Sequence, residues 1–161
     1  MNILQLIHKV WRWKWVLRSI FSTVYFNLHY LPFRQAIRLP ILLYKPQLKK
    51  MKGTVKITGA IKFGMIQLGK DFVAIYPDSG IVYENKGGSI VFNGRMYAGS
   101  ASAISVGPGA RLTLGTDVCA SAALTLVCYK SITLHDRVRF GWDVTMFDCD
   151  FHKLTLLGGG Y

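Results

Sequence analysis

Apolar residues recur at every sixth position along two stretches of the chain. These positions are Leu114, Ala120 and Leu126 in the first stretch, and Leu134, Phe140 and Met146 in the second, where the next step of six reaches His152. An α-helix would repeat its apolar residues with a period of 3.6, and a strand with one solvated face would alternate with a period of 2. A six-residue period instead predicts short strands that bend at corners and stack, so that each side of a prism buries one residue.

A short sequence pattern, apolar-x-apolar followed by turn residues, recurs along the same region. Its copies begin at Ile66, Ile90, Leu112 and Ile132, with a weaker copy at Val55. The second apolar residues of the four stronger copies are spaced by 24, 22 and 20 positions. Stacked coils with corner loops of varying length would drift in this way. An antiparallel sandwich also has short alternating strands, but its strands need not share a pattern, so the repeat favours a solenoid.

The repeat also predicts which side chains fill the interior of the prism. The predicted inward stack consists of Leu68, Phe92, Leu114, Leu134, Phe140 and Met146. Ala120, Ala122 and Ala123 are predicted where space is tight. Turn-forming residues between positions 77 and 88 predict a loop that projects from an early coil.

The positive charge of the chain is concentrated in its first part. Residues 1–70 carry thirteen Lys and Arg and no Asp or Glu, whereas residues 71–161 carry seven basic and eight acidic residues. This asymmetry predicts that the first part binds an acidic partner or an anionic membrane surface. No nucleic-acid-binding motif accompanies the charge, so a nucleic-acid partner is not predicted. The odd number of cysteines, without paired spacing, favours the cytoplasm over an oxidising compartment.

Residues 1–52 are predicted to form a basic, aromatic, helical appendage, and residues 53–161 the β-helix. Leu4, Ile7, Trp11 and Trp15 fall on one helical face, and Pro32 is expected to end this helix. A transmembrane span is disfavoured, because each central Lys or Arg costs about 2.5–3.5 kcal/mol. Two interpretations stay open: a helix that lies on the cytoplasmic surface of an anionic membrane, or a helix packed on the repeat domain or across a subunit boundary.

The chain resembles the hexapeptide-repeat acyltransferases over roughly residues 53–161. The resemblance rests on the hexads, on residues 141–145 (Gly-Trp-Asp-Val-Thr) and on residues 148–152 (Asp-Cys-Asp-Phe-His). Within this family it is most similar to sugar O-acetyltransferases of bacterial capsule and surface-polysaccharide synthesis. The resemblance implies a mainly β fold, a left-handed parallel β-helix. It also implies a homotrimer, and the transfer of an acetyl group from acetyl-CoA to a sugar hydroxyl without an acyl-enzyme.

The resemblance further implies that His152 is the general base, in a cleft between adjacent subunits. A near-neutral imidazole suits the removal of a proton from an attacking hydroxyl. Asp150 or Asp148 would orient the ring; we prefer Asp150, and Asp148 would then contact the acceptor sugar. Trp142 would line the acceptor site or form a wall at a subunit contact. The alternative for His152 is a turn histidine at a coil corner, which its six-residue register would even place inward as a core residue.

The binding residues for acetyl-CoA are not assigned by the sequence, and no metal site is predicted, because residues 148–152 lack a second set of ligands. The family's further coils do not follow in this sequence, so we expect a β-helix without its C-terminal coils. Three functions therefore stay open. They are a cytoplasmic O-acetyltransferase, peripheral at the inner face of the membrane, that acts on a sugar or lipid-linked glycan; a non-catalytic β-helix scaffold; and a membrane-recruitment module.

Overall fold

A computed structural model describes residues 19–151 of the chain, and residues 1–18 and 152–161 lie outside the described part. The described chain begins with two helical segments, α1 (residues 19–30) and α2 (Phe33–Ala36). Short strands make up most of the remainder. In chain order they are β1 (Ile41–Leu43), β2 (Gln47–Met51), β3 (Thr54–Ile57), β4 (Ile66–Lys70), β5 (Ile81–Asn85), β6 (Ser89–Phe92), β7 (Met96–Gly99), β8 (Ser102–Val106), β9 (Arg111–Leu114), β10 (Val118–Ala120), β11 (Thr125–Cys128), β12 (Ser131–Leu134), β13 (Arg139–Phe140) and β14 (Thr145–Phe147).

Every third strand belongs to the same parallel sheet. The first sheet has the order β1-β4-β7-β10-β13, the second β2-β5-β8-β11-β14, and the third β3-β6-β9-β12. The chain therefore winds as a parallel β-helix with three sides, as the sequence predicts, and its left hand stays a prediction. Because β1 and β2 are already members of the sheets, the first coil begins at Ile41. The boundary predicted between residues 52 and 53 falls inside that coil.

The residues six positions apart point inward from successive sides of the prism. This confirms the prediction made from the six-residue period. Hexad residues twenty positions apart lie in register, in the pairs Leu114–Leu134, Ala120–Phe140 and Leu126–Met146. The members of the inner coils are buried, whereas Phe140 and Met146 are only half-buried because they lie in the last described coil. Ala123 differs from the prediction. It is a half-buried corner residue with a left-handed backbone (φ 52°).

Leu68 and Phe92 are both buried, but they do not belong to one repeat. Leu68 lies in the first sheet beside Ala98, whereas Phe92 lies in the third sheet beside Ile57. The copy of the pattern that the sequence marks as weaker, at Val55, is therefore the true partner of the copy at Ile90. Long connections before and after β4 (residues 58–65 and 71–80) widen the second coil and hide this relation in the sequence.

Helix α1 covers the free edge of β1 with polar side chains spaced four residues apart. The pairs are Asn27–Ile41, Thr23–Leu43 and Ser19–Lys45. Asn27 donates to the carbonyl of Ile41 (2.7 Å) and accepts its N–H (3.2 Å), as a neighbouring strand would. An exposed strand edge invites pairing with other chains, so α1 closes this end of the β-helix.

Aromatic packing fixes α1 on the first coils. Phe26 is buried, and its ring meets that of Tyr83 edge-on at 4.9 Å between centroids. The burial of Tyr83 raises the pKa of its phenol. Residues 19–30 are thus packed on the repeat domain, and α1 ends two residues before Pro32. The residues that define the predicted helical face, Leu4, Ile7, Trp11 and Trp15, lie outside the described residues. Between residues 19 and 151, no helix has the length and hydropathy that a membrane crossing requires.

Candidate functional site

Trp142 lies at the corner between the first and second sheets, in the fifth coil. The chain turns there through Asp143, which has a left-handed backbone (φ 53°), and Ala101 and Ala123 have the same conformation in earlier coils. Ser100 and Ala122 take the equivalent position in the two preceding coils and are buried, whereas Trp142 lies in the last described coil. Trp142 is accordingly 51% exposed, a large aromatic surface available for contact with another molecule.

A loop of the second coil, residues 71–80, reaches this same corner. The hydroxyl of Tyr76 donates to the carboxylate of Asp143, and its ring lies 5.6 Å from that of Trp142, tilted by 56°. The hydrogen bond to Asp143 is the main reason why the pKa of Tyr76 is raised above its usual value. We call Tyr76, Trp142 and Asp143 the aromatic corner. Tyr76 is missing from the sequence prediction because a contact across three coils leaves no periodic signal.

The base of this loop is held by one buried hydroxyl. Ser100 Oγ accepts the N–H groups of Ser79 (2.9 Å) and Gly80 (3.0 Å) and donates to the carbonyl of Pro77 (2.8 Å). A serine that meets three backbone groups at once fixes both ends of the turn. The position of Tyr76 at the aromatic corner therefore follows from a well-anchored loop.

Asp148 lies at the next corner, between the second and third sheets. Its carboxylate accepts the backbone N–H groups of Tyr129 (2.6 Å) and Lys130 (2.8 Å) from the preceding coil. Burial alone would raise the pKa of Asp148, but these donors outweigh it and the pKa is lowered. Asp148 is thus a corner cap, and its predicted contact with an acceptor sugar stays a prediction.

The thiol of Cys128 lies beneath this cap. Its Sγ is 3.3 Å from the carbonyl of Arg111 and 3.7 Å from the carboxylate of Asp148. Burial, and then the charge of Asp148, raises the pKa of Cys128 to about 11. A thiol that stays protonated at neutral pH is a poor nucleophile, so we assign Cys128 no chemistry.

The chain continues from this cap through Cys149, Asp150 and Phe151. Asp150 is exposed, and the ring of Phe151 meets that of Tyr129 edge-on at 4.8 Å. His152 follows Phe151 directly in sequence and lies outside the described residues. The structure therefore describes the predicted orienting residue and not the predicted base.

The two corners lie apart within one chain. Strand β14 runs between Asp143 and Asp148, and five residues of extended chain span about 16 Å. Trp142 is thus not brought together with Asp148 and Asp150 within one copy of the chain. Its predicted place, at the acceptor site or at a subunit contact, stays a prediction.

The corner of Asp148 also includes Tyr129 and Lys86. No pattern in the sequence marks these two residues. Lys86 Nζ donates to the hydroxyl of Tyr129 (2.8 Å), and this bond is the main reason why the pKa of Lys86 is raised. Gly107 lies between them, and a Cβ there would come within 2.6 Å of the Tyr129 ring. The sequence indicates this contact only through the coil length of about twenty residues, which places position 107 next to position 129 in the following coil.

Among residues 19–151, no three His, Cys, Asp or Glu side chains are grouped so that they could hold a metal ion. Comparisons of the chain with models of protein families, with curated proteins and with solved structures gave no significant match.

Proposed function

We propose that this protein is an O-acetyltransferase that moves an acetyl group from acetyl-CoA to a sugar hydroxyl in the synthesis of a surface polysaccharide. The observation that supports it most is the coincidence of a parallel β-helix with the segment Asp-Cys-Asp-Phe-His. That segment begins directly after the last described strand, at a corner. In the hexapeptide-repeat acyltransferases, which the chain resembles, such a segment carries the base.

The proposed chemistry needs one base and no covalent intermediate. The imidazole of His152 takes the proton of the sugar hydroxyl as the oxygen attacks the thioester carbonyl. The tetrahedral intermediate then collapses, the carbon–sulfur bond breaks, and the imidazolium returns the proton to the departing thiolate of coenzyme A. Asp150 would accept the other ring N–H of His152 and stabilise the imidazolium.

The separation of the two corners favours a site shared between subunits. Asp143 and Asp148 are separated by about 16 Å of extended chain, too far for one small sugar to contact both corners in a single copy. In a trimer with cyclic symmetry, each copy presents one corner to one neighbour and the other corner to the other neighbour. We therefore propose a homotrimer in which the aromatic corner of one copy faces residues 148–152 of the next.

The aromatic corner has the composition of a sugar-binding surface. The rings of Trp142 and Tyr76 offer apolar faces for the C–H side of a pyranose. The carboxylate of Asp143 offers acceptor capacity for sugar hydroxyls beside them. On this proposal, acceptor specificity is set at the aromatic corner, and proton transfer occurs at residues 148–152.

Release of coenzyme A thiol, measured with acetyl-CoA and a panel of sugars and nucleotide sugars, tests the proposal. We expect acceptor-dependent turnover, a loss of about 100-fold or more in His152→Ala, and no loss in His135→Ala. His135 is an exposed histidine in the turn after β12 and serves as the matched control. Equal turnover in His152→Ala and wild type would exclude His152 as the base. Failure of the full chain to bind coenzyme A in calorimetric titration would favour a non-catalytic scaffold.

A further inference from the structure

The outer face of α1 is apolar and exposed. Its members are Ile20 (54% exposed), Phe21 (76%), Val24 (37%), Tyr25 (55%) and Leu28 (50%). They follow the spacing i, i+1, i+4, i+5 and i+8, which forms one continuous stripe on a helix. Contiguous apolar surface of this kind marks a contact with another molecule, whereas single exposed apolar residues do not.

This orientation reverses the usual arrangement of a surface helix, and the fold explains why. Ser19, Thr23 and Asn27 are turned inward because they hydrogen-bond the edge of β1. A helix normally buries its apolar stripe against the core and leaves its polar face in water. Here the inward face, which also carries the buried Phe26, is committed to the edge of β1 and to Tyr83, so the apolar stripe on the other side points away from the coils.

Helix α2 follows α1 after two residues, and it and the chain after it also expose apolar and basic side chains. Phe33 and Ile37 are 70% and 59% exposed, and the exposed Arg34 and Arg38 each follow one of them. The described residues 19–70 carry nine Lys and Arg and no Asp or Glu. An apolar stripe in a segment whose charged residues are all basic is the composition of an interfacial membrane-binding element.

Part of this charge lies directly beside α1. His29 Nε2 is 2.8 Å from the carbonyl of Met51, and the hydroxyl of Tyr30 donates to the carbonyl of Lys52 (3.2 Å). These contacts bring the end of α1 against the basic strand β2, where Lys49 and Lys50 are exposed. Cations therefore border the apolar stripe on the first coil as well as on α2.

We propose that the outer face of α1, which we call the docking face, binds the surface of an anionic phospholipid bilayer. The side chains of Phe21, Tyr25 and Leu28 enter the boundary between headgroups and acyl chains, and the surrounding Lys and Arg contact the headgroups. A second copy of this chain is a poorer occupant, because two such faces would bring together the Lys and Arg of residues 19–70, a segment that contributes no carboxylate.

The position of α1 sets the orientation of the docked protein. Because α1 covers the end of the β-helix, the bilayer plane lies across the coil axis. Neighbouring strands are about 4.8 Å apart, so the fifth coil stands about 19 Å beyond the first. The docking does not depend on the proposed acetyl transfer. For the proposed acetyl transfer, this orientation means that the acceptor sugar reaches both corners about 19 Å above the lipid surface.

Co-sedimentation of the full chain with vesicles tests the proposal. The vesicles are pure phosphatidylcholine, or phosphatidylcholine with phosphatidylglycerol. We expect binding to the anionic vesicles, weakened by high salt, and an apparent Kd raised about tenfold or more by Phe21→Asp. Phe147→Asp is the matched control, because Phe147 is also exposed (59%) but lies on the fifth coil; we expect binding unchanged. His152→Ala should bind like wild type, which separates docking from catalysis.

Several outcomes would overturn the docking face. They are no binding to anionic vesicles, equal binding by wild type and Phe21→Asp, or equal loss in Phe21→Asp and Phe147→Asp. Circular dichroism of each variant checks the fold, and Tyr25→Asp replaces Phe21→Asp if the latter does not fold. One combination of results would make this face a subunit contact instead. In it, wild type does not bind vesicles, and Phe21→Asp has a different sedimentation coefficient from wild type in the absence of lipid.

Discussion

Corners of the β-helix are closed by polar side chains that bind the backbone of a neighbouring turn. Asp148 caps the N–H groups of Tyr129 and Lys130, and Asp136 caps the N–H of Thr116 (2.6 Å) in the same way. Strands end at these corners, so their N–H groups have no ladder partner. The carboxylates therefore have a structural role that the sequence, which marked Asp148 for substrate contact, did not suggest.

Replacing Asp148 by Ala removes this cap. We expect a loss of about 1 kcal/mol in the free energy of unfolding near neutral pH, comparable to the loss of a helix cap, because the freed N–H groups are partly solvated. The pKa of Asp148 is lowered from its ordinary value of 3.8. Its contribution is therefore complete above that value and declines as the pH falls through the lower folded-state pKa.

Urea unfolding of wild type and Asp148→Ala at several pH values measures this effect. The two proteins should differ at pH 7 and converge in acid. Asp71→Ala, which removes an exposed carboxylate from the loop after β4, is the control and should change little. A difference between wild type and Asp148→Ala that persists unchanged at pH 2 would show that the charge is not what stabilises the corner.

Helix α1 is the element whose role sequence patterns describe least well. The sequence indicates a helix and its composition, but a helical wheel assumes that the apolar side faces the protein. The hydrogen bonds from Asn27 and Thr23 to β1 override that assumption. An unpaired strand edge at the end of the coils outweighs the burial of one apolar stripe, because unsatisfied buried backbone groups are costly.

Asn27→Ala breaks the central hydrogen bonds of this contact. It leaves the N–H and carbonyl of Ile41 without their side-chain partner in a buried setting, where each unsatisfied group costs about 1–3 kcal/mol. We expect a loss of about 2–4 kcal/mol in the free energy of unfolding, measured by urea denaturation.

Leu28→Ala is the matched control for Asn27→Ala, since Leu28 is the next residue but lies on the outer face (50% exposed). Its effect should stay within about 0.5 kcal/mol. Equal losses in the two variants would mean that α1 is held by general helix stability and not by its bonds to β1.

The regular coils were predictable from sequence, and the irregular second coil was not. Hexads from Leu114 to Met146 locate the inward positions because coils of twenty to twenty-two residues repeat there. The connections around β4 break that repeat. The sequence pattern therefore groups Leu68 with Phe92, although the two residues lie in different sheets. The contact of Tyr76 with Asp143 depends on where such a connection ends, and no local pattern encodes that.

The β-helix has two different ends. Helix α1 and the basic first coil occupy one end, and the aromatic corner and residues 148–151 lie toward the other. The proposed docking face thus lies at the opposite end from the proposed site. The proposed trimer, with its axis along the coils, would present three docking faces to one bilayer, and the combined avidity would hold the protein there.

Two copies of the chain form each site in the proposed trimer, one with Trp142 and the other with His152. Acetyl transfer by mixed trimers measures whether the two copies share a site. Trp142→Ala and His152→Ala are each expected to be nearly inactive alone. Co-refolded in equal amounts, they should recover about a quarter of wild-type activity, because random assortment restores about one interface in four. Mixtures no more active than the separate variants would contradict a site shared between copies.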